Sequence, residues 1–127
     1  MFHRFAADND EIYVMNADGS AQTNLTNSTA GEREPAWSPD GTRIAFVRND
    51  DGDQRIWVMS TDGTQQASVT GAGDYASEPA WVPNGRKIVF TSTRDGNYEV
   101  YVMRVDGNGQ TNLTNNVAYD AHPAWRP

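Results

Sequence analysis

Apolar residues come in short runs broken by polar, glycine-containing stretches, with no sustained helical period. A typical run is Ile56-Trp57-Val58-Met59. It is apolar at alternate positions of both parities, so a strand built from it has two greasy faces. A strand with one wet face would alternate apolar and polar instead. Such runs recur every 8–12 residues or so, which predicts an all-β fold of short strands.

The runs recur in a fixed frame. Segment 34–46 returns at 78–90 and begins again at His122, and Trp37, Trp81 and Trp125 stand 44 residues apart. Segment 11–20 returns at 55–64 and 99–108, and segment 23–26 at 67–70 and 111–114, with the same offset and no insertion. Each repeat therefore reads as four strands. Strand a is the Pro-Ala-Trp segment, followed by a Pro-Asp-Gly or Pro-Asn-Gly turn in which glycine accepts positive φ. Strand b covers 43–48 and 87–93, and strand c covers 56–60 and 100–104. An Asp-Gly turn then leads to strand d, which ends in Leu-Thr or Val-Thr. A 44-residue period of four strands matches one propeller blade, covered by its neighbours on both faces.

Pro35-Ala36-Trp37-Ser38-Pro39-Asp40-Gly41-Thr42-Arg43-Ile44-Ala45-Phe46, followed by Ile56-Trp57-Val58-Met59-Ser60-Thr61-Asp62-Gly63, resembles the TolB-type β-propeller repeat. The resemblance covers essentially the whole chain in three copies. It lacks the Gly-His and Trp-Asp marks of WD repeats and the Gly-Gly marks of kelch. It implies blades of a six-bladed propeller that binds protein in the bacterial envelope, or that sits beside a hydrolase. The periplasm or another extracytoplasmic site is what it implies for location, and residues 1–10 lack the apolar core of a secretion signal.

The repeat frame sets Met1 and Phe2 at the register of Ala45 and Phe46, and Pro127 at that of Pro39 and Pro83. The expectation is one half-propeller domain, 1–127. Its first blade has strands b, c and d without a, and residues 122–126 form an extra strand a. Propellers have typically 4–8 blades, so three cannot close a ring and two chains give six. A C2 homodimer is expected, with strand 122–126 of each chain completing the first blade of the other. An excised or engineered half-propeller with no selected ligand fits the same register.

Composition narrows the partners. The 127 residues carry a net charge of −7 and no cysteine. Acidic surfaces repel phosphate backbones and anionic lipid, so neither nucleic acid nor membrane insertion is expected. Disulfides and cysteine zinc sites are excluded. The expected binding surface lies at the variable loops 27–33, 71–77 and 115–121, with 49–54 and 94–98, because rigid scaffolds bind through such loops. Strand a is innermost, so Glu34, Glu78 and His122 should rim the central channel, preceded by Glu32, Tyr75, Tyr119 and Asp120.

The leading expectation is a non-enzymatic scaffold that holds a protein or peptide on the loop face or channel mouth. The alternative is a carbohydrate- or cation-binding propeller, or a lyase-like enzyme, using the rim. Four rim carboxylates in a dimer would suit Ca²⁺, yet no acidic loop has a dedicated ligand spacing, so no metal or cofactor is expected. Otherwise each rim glutamate bonds the neighbouring backbone. Asp18, Asp62 and Asp106 precede glycine in hairpins and read as turn residues. Trp37, Trp81, Trp125, Tyr13, Trp57 and Tyr101 read as packing between blades. No serine–histidine–acid motif supports nucleophilic catalysis.

Overall fold

The two-faced apolar runs become the central strands of three antiparallel sheets. A computed structural model describes residues 1–6 and 9–125. β1 (Phe2–Ala6), β2 (Asn9–Val14) and β3 (Thr23–Asn24) form a three-stranded sheet. β4 (Gly31–Trp37), β5 (Arg43–Asp50), β6 (Asp53–Ser60) and β7 (Ala67–Ser68) form the second, four-stranded sheet. β8 (Ala76–Trp81), β9 (Lys87–Ser92), β10 (Glu99–Arg104) and β11 (Thr111–Asn112) form the third. Among the described residues there is no helix.

All four strand types differ somewhat from the expected bounds: β5 runs on to Asp50 and β6 starts at Asp53, so strands b and c pair farther along the hairpin, and strands a and d differ most. Strand a starts upstream of the Pro-Ala-Trp segment, at Gly31 and Ala76, because the preceding residues pair with the far end of strand b: Gly31 opposes Asn49, and Ala76 opposes Ser92. Strand d is only two residues long. Its Leu-Thr or Val-Thr end lies just beyond the ladder, where the threonine hydroxyl takes over. Thr26 and Thr70 Oγ1 accept the N–H of Ile12 and Ile56 at 3.0 and 2.9 Å. Short outer strands limit the exposed edge.

The core lies in the seams between sheets rather than inside any one of them. Ile12, Ile44, Phe46 and Met59 join the first and second blades, with Leu25 and Trp57 packed against them. Ala45, Val47, Ile56, Val58, Ala76, Trp81, Phe90, Tyr101 and Met103 join the second and third. The equivalent tryptophans separate by position: Trp81, in a seam, is 8% exposed, whereas Trp37 is 42% exposed. Trp125 is exposed as well. Packing between blades therefore holds for Trp81, which lies against β4 of the preceding blade, but not for Trp37, because among the described residues the first sheet has no strand in the place of β4, nor for Trp125, which belongs to none of the described sheets. Arg126 and Pro127, the last positions of the expected extra strand and of the register argument, lie outside the described residues.

Candidate functional site

Two loop sets separate onto opposite ends of the blades. At one end the b–c and d–a loops are stitched together. Asn9 Nδ2 donates to Ser28 O and Ala30 O, and Asn97 Nδ2 donates to Asn116 O and Ala118 O. At the other end lie the tight turns, where the Val105 N–H donates to Arg86 O at 3.2 Å. The turn aspartates act as Asx caps. Asp18, Asp62 and Asp106 accept the N–H of Ser20, Thr64 and Asn108 at 2.9–3.0 Å.

At the loop end each strand a breaks its register. The ladder slips between Arg33 and Ala36, and again between Ser77 and Ala80. Glu34, Glu78 and His122 all take left-handed φ, at 53°, 54° and 56°. Proline follows each, and proline has no N–H to give to a ladder, so a bulge is a natural place for it. A bulge re-aims a side chain. Here it turns the rim residue toward the next blade. The Glu78 N–H donates to Glu34 Oε2 at 2.6 Å, and the His122 N–H donates to Glu78 Oε2 at 2.7 Å. Thr91 Oγ1 also donates to Glu78 Oε2 at 2.7 Å, and His122 Nδ1 lies 2.5 Å from Glu78 Oε1. Thus Glu34, Glu78 and His122 come together in one chain of side chain-to-backbone bonds.

The other predicted rim residues scatter. Glu32 is a correction: it is fully buried, not at the rim. It stands opposite Arg48 in the β4–β5 register, and its carboxylate takes a 2.8 Å bond from Arg48 Nε and a 2.5 Å bond from Ser28 Oγ. Burial raises its pKa above the usual glutamate range, while Ser28 and Arg48 oppose the rise. Asp120 ties its loop to the neighbouring one, its N–H donating to Tyr98 O at 2.9 Å, while its carboxylate accepts from Asn116 Nδ2 of its own loop at 2.7 Å. Tyr75 and Tyr119, equivalent residues one repeat apart, are exposed at the loop end. The Tyr119 ring lies 4.5 Å from that of Tyr98, also exposed. Sequence reasoning did not single out Tyr98, because glutamine and aspartate occupy its place in the other repeats and no periodic signal marks it.

Among the described residues no three His, Asp or Glu side chains converge as metal ligands. The rim carboxylates hold backbone and hydroxyl donors, which leaves the exposed tyrosines as the largest aromatic surface at this end.

Comparison with known proteins places the architecture. The TolB beta propeller domain family matches residues 2–81. A putative TolB from Agrobacterium tumefaciens superposes with a TM-score of 0.85 at 26% identity, over 91% of this chain and 41% of that one. Over 42 residues the chain is 43% identical to dipeptidyl-peptidase 5 of Porphyromonas gingivalis, which is 33% of this chain and 6% of that protein. Over 37 residues it is 46% identical to the Tol-Pal system protein TolB of Blochmanniella pennsylvanica, 29% of this chain and 8% of that one. The chain therefore spans less than a tenth of either curated relative and under half of the Agrobacterium structure. With its all-β blades and a family match over most of its length, the chain belongs to the TolB β-propeller domain family.

Proposed function

We propose that this chain is a non-enzymatic propeller scaffold that binds a protein or peptide on its loop face, at the mouth of the channel. One observation carries the reading. Tyr75, Tyr98 and Tyr119 stand exposed on the face that holds the long loops, beside rim carboxylates already engaged by backbone N–H groups. Tyrosine supplies large contact area and a polar tip, and it is enriched where proteins bind one another. The family supports a binding role. The similarity to a peptidase covers about one repeat of blade, so it is a similarity of scaffold.

The test is selection of a random peptide library on the immobilised protein. Peptides are expected whose binding falls about thirtyfold in a Tyr75→Ala, Tyr119→Ala variant, since an aromatic hot spot contributes roughly 2 kcal/mol or more. The melting temperature of that variant should stay unchanged. Recovered peptides indifferent to both tyrosines would overturn the assignment to this face. Added CaCl₂ is expected to leave the melting temperature where it was. A rise with Ca²⁺ would favour the cation-binding alternative instead.

A further inference from the structure

The carboxylate of Glu32 stands in a small buried set of charges that does not balance. Of the elements packed against β4, β2 brings Glu11 to this carboxylate and β5 brings Arg48. Arg4 of β1 is turned instead to Gln22 and to the rings of Phe2 and Tyr13, and Glu78 of β8 to Thr91 and His122. On β4 itself Arg33 and Glu34 face each other at 3.8 Å, while Arg43 of β5 lies over the ring of Trp81. Asp10 and Asp50 stand at the b–c hairpins, at the ends of β2 and β5. With both glutamates ionised, the buried set carries two negative charges and one positive. Glu11 is 5% exposed and Glu32 0%. Both oxygens of Glu11 are taken by donors: Oε1 accepts from Asn9 Nδ2 and the Ser28 N–H, and Oε2 accepts from Thr26 Oγ1. Glu32 is engaged on one side only. Arg48 Nε and Ser28 Oγ both donate to Oε1, and among the described residues Oε2 has no hydrogen-bond partner. A buried oxygen that is both ionised and unpaired is costly. The repeat supplies a comparison. In the second seam Arg55 stands in the place of Glu11, and Ala76 and Ser92 in the places of Glu32 and Arg48. There Arg55 pairs with Asp53 at 2.9 Å and Arg94 with Asp74 at 3.2 Å, two acids against two bases. The first set reaches such a balance only when one glutamate is neutral.

We infer that Glu32 is a proton-binding site that couples the anchoring of loop 27–33 to pH: it carries a proton on Oε2 in mildly acidic solution, which preserves both bonds to Oε1, and gives that proton to water as the pH rises. This goes beyond the binding role proposed above and does not rest on it. Ser28 is where the proton is felt. Its N–H donates to Glu11 and its hydroxyl to Glu32, so one residue of the d–a loop bridges the two carboxylates. The Ala30 N–H donates in turn to Ser28 Oγ at 3.0 Å. Loss of the proton sets a second negative charge across this bridge from the first and leaves Oε2 bare, so segment 28–30 is held less firmly. Burial raises the pKa of Glu32, Ser28 and Arg48 oppose the rise, and the charge of Glu11 adds to it. A carboxyl shifted upward contributes stability that is complete below its unfolded value, 4.5 here, and is lost as pH rises through the folded one.

Titration of the side-chain carboxyl carbons by NMR, on the full chain, tests this, with the backbone amides of Ser28 and Ala30 followed in the same samples. Glu32 is expected to titrate with a midpoint above 4.5, and the two amide signals should shift with that same midpoint. In Glu32→Gln, which keeps an acceptor for Arg48 and Ser28, the step in the amide signals should vanish. Between about pH 5 and about pH 8 the wild type should lose resistance to urea that Glu32→Gln retains. A Glu32 midpoint at or below 4.5 would overturn the proton site. Amides that ignore the Glu32 titration, or that keep their step in Glu32→Gln, would overturn the coupling to the loop. The wild-type titration decides the site by itself, whether or not the variant folds.

Discussion

Single turn residues contribute to the pH dependence of stability in this protein. Asp40 accepts the Ser38 hydroxyl at 2.6 Å, together with the backbone N–H and hydroxyl of Thr42, and these bonds lower its pKa to about 2. Bonds from Ser20, Thr64 and Asn108 lower Asp18, Asp62 and Asp106 in turn. A carboxyl whose folded pKa is depressed contributes stability that is complete above its unfolded value, 3.8 here, and is lost as pH falls through the folded one. The melting temperature should therefore drop between pH 5 and pH 2, and Asp40→Asn should flatten the fall while keeping the turn. The third blade already carries that variant in nature's hand: Asn84 caps the Arg86 N–H at 3.0 Å in the equivalent turn. Trp81 and Trp37 give a second comparison. Trp81→Ala should cost about 3–5 kcal/mol in urea unfolding, the usual range for a large buried ring. Trp37→Ala should cost visibly less in the monomer, because Trp37 is half open to solvent.

At the level of the strand, the bulge decides what a rim glutamate can do. Without the slip at Glu34 and Glu78, strand a would continue its two-residue alternation and the side chain would stay on its own blade. The slip instead links one blade to the next through Glu34 and Glu78. The same strand holds Glu32 two residues earlier, yet that glutamate is buried against Arg48, whose guanidinium also stacks on Trp57 at 4.2 Å. Removing one partner of a buried ion pair strands the other. Glu32→Ala should therefore cost about 3–5 kcal/mol. Glu32→Gln, which keeps an acceptor for Arg48 and Ser28, should cost less. Chemical denaturation of the two variants side by side checks the order.

Across the whole molecule, stability and binding surface depend on the same seams. The apolar residues of each blade are satisfied by its neighbours, as in other repeat architectures where each unit contacts only the next. Two seams are filled in one chain, and the exposed Met15, Trp37, Leu113 and Trp125 lie outside them. A binder that covers these residues should raise the melting temperature with its concentration, because binding to the folded state stabilises by mass action. A scanning calorimetry series over a hundredfold dilution reads that slope directly.

The 44-residue period, the order of strands and the identity of the turns were legible in the sequence alone. Each depends on local chemistry: glycine at positive φ, aspartate capping an N–H two residues on, apolar residues on both faces of a strand. The rim relay was legible as a position but not as a geometry. Nothing local in Glu34-Pro35 says that the ladder slips there, because the slip is defined only against strand b. Nor does spacing separate Glu32 from Glu34, since the partner that buries Glu32 arrives from another strand. The pairing of Tyr98 with Tyr119 escaped the repeat because it joins two loops that the period does not relate. The sequence by itself determined which units this protein is made of. Only the tertiary structure decided which faces of those units are filled and which stand open, because burial is a property of neighbours.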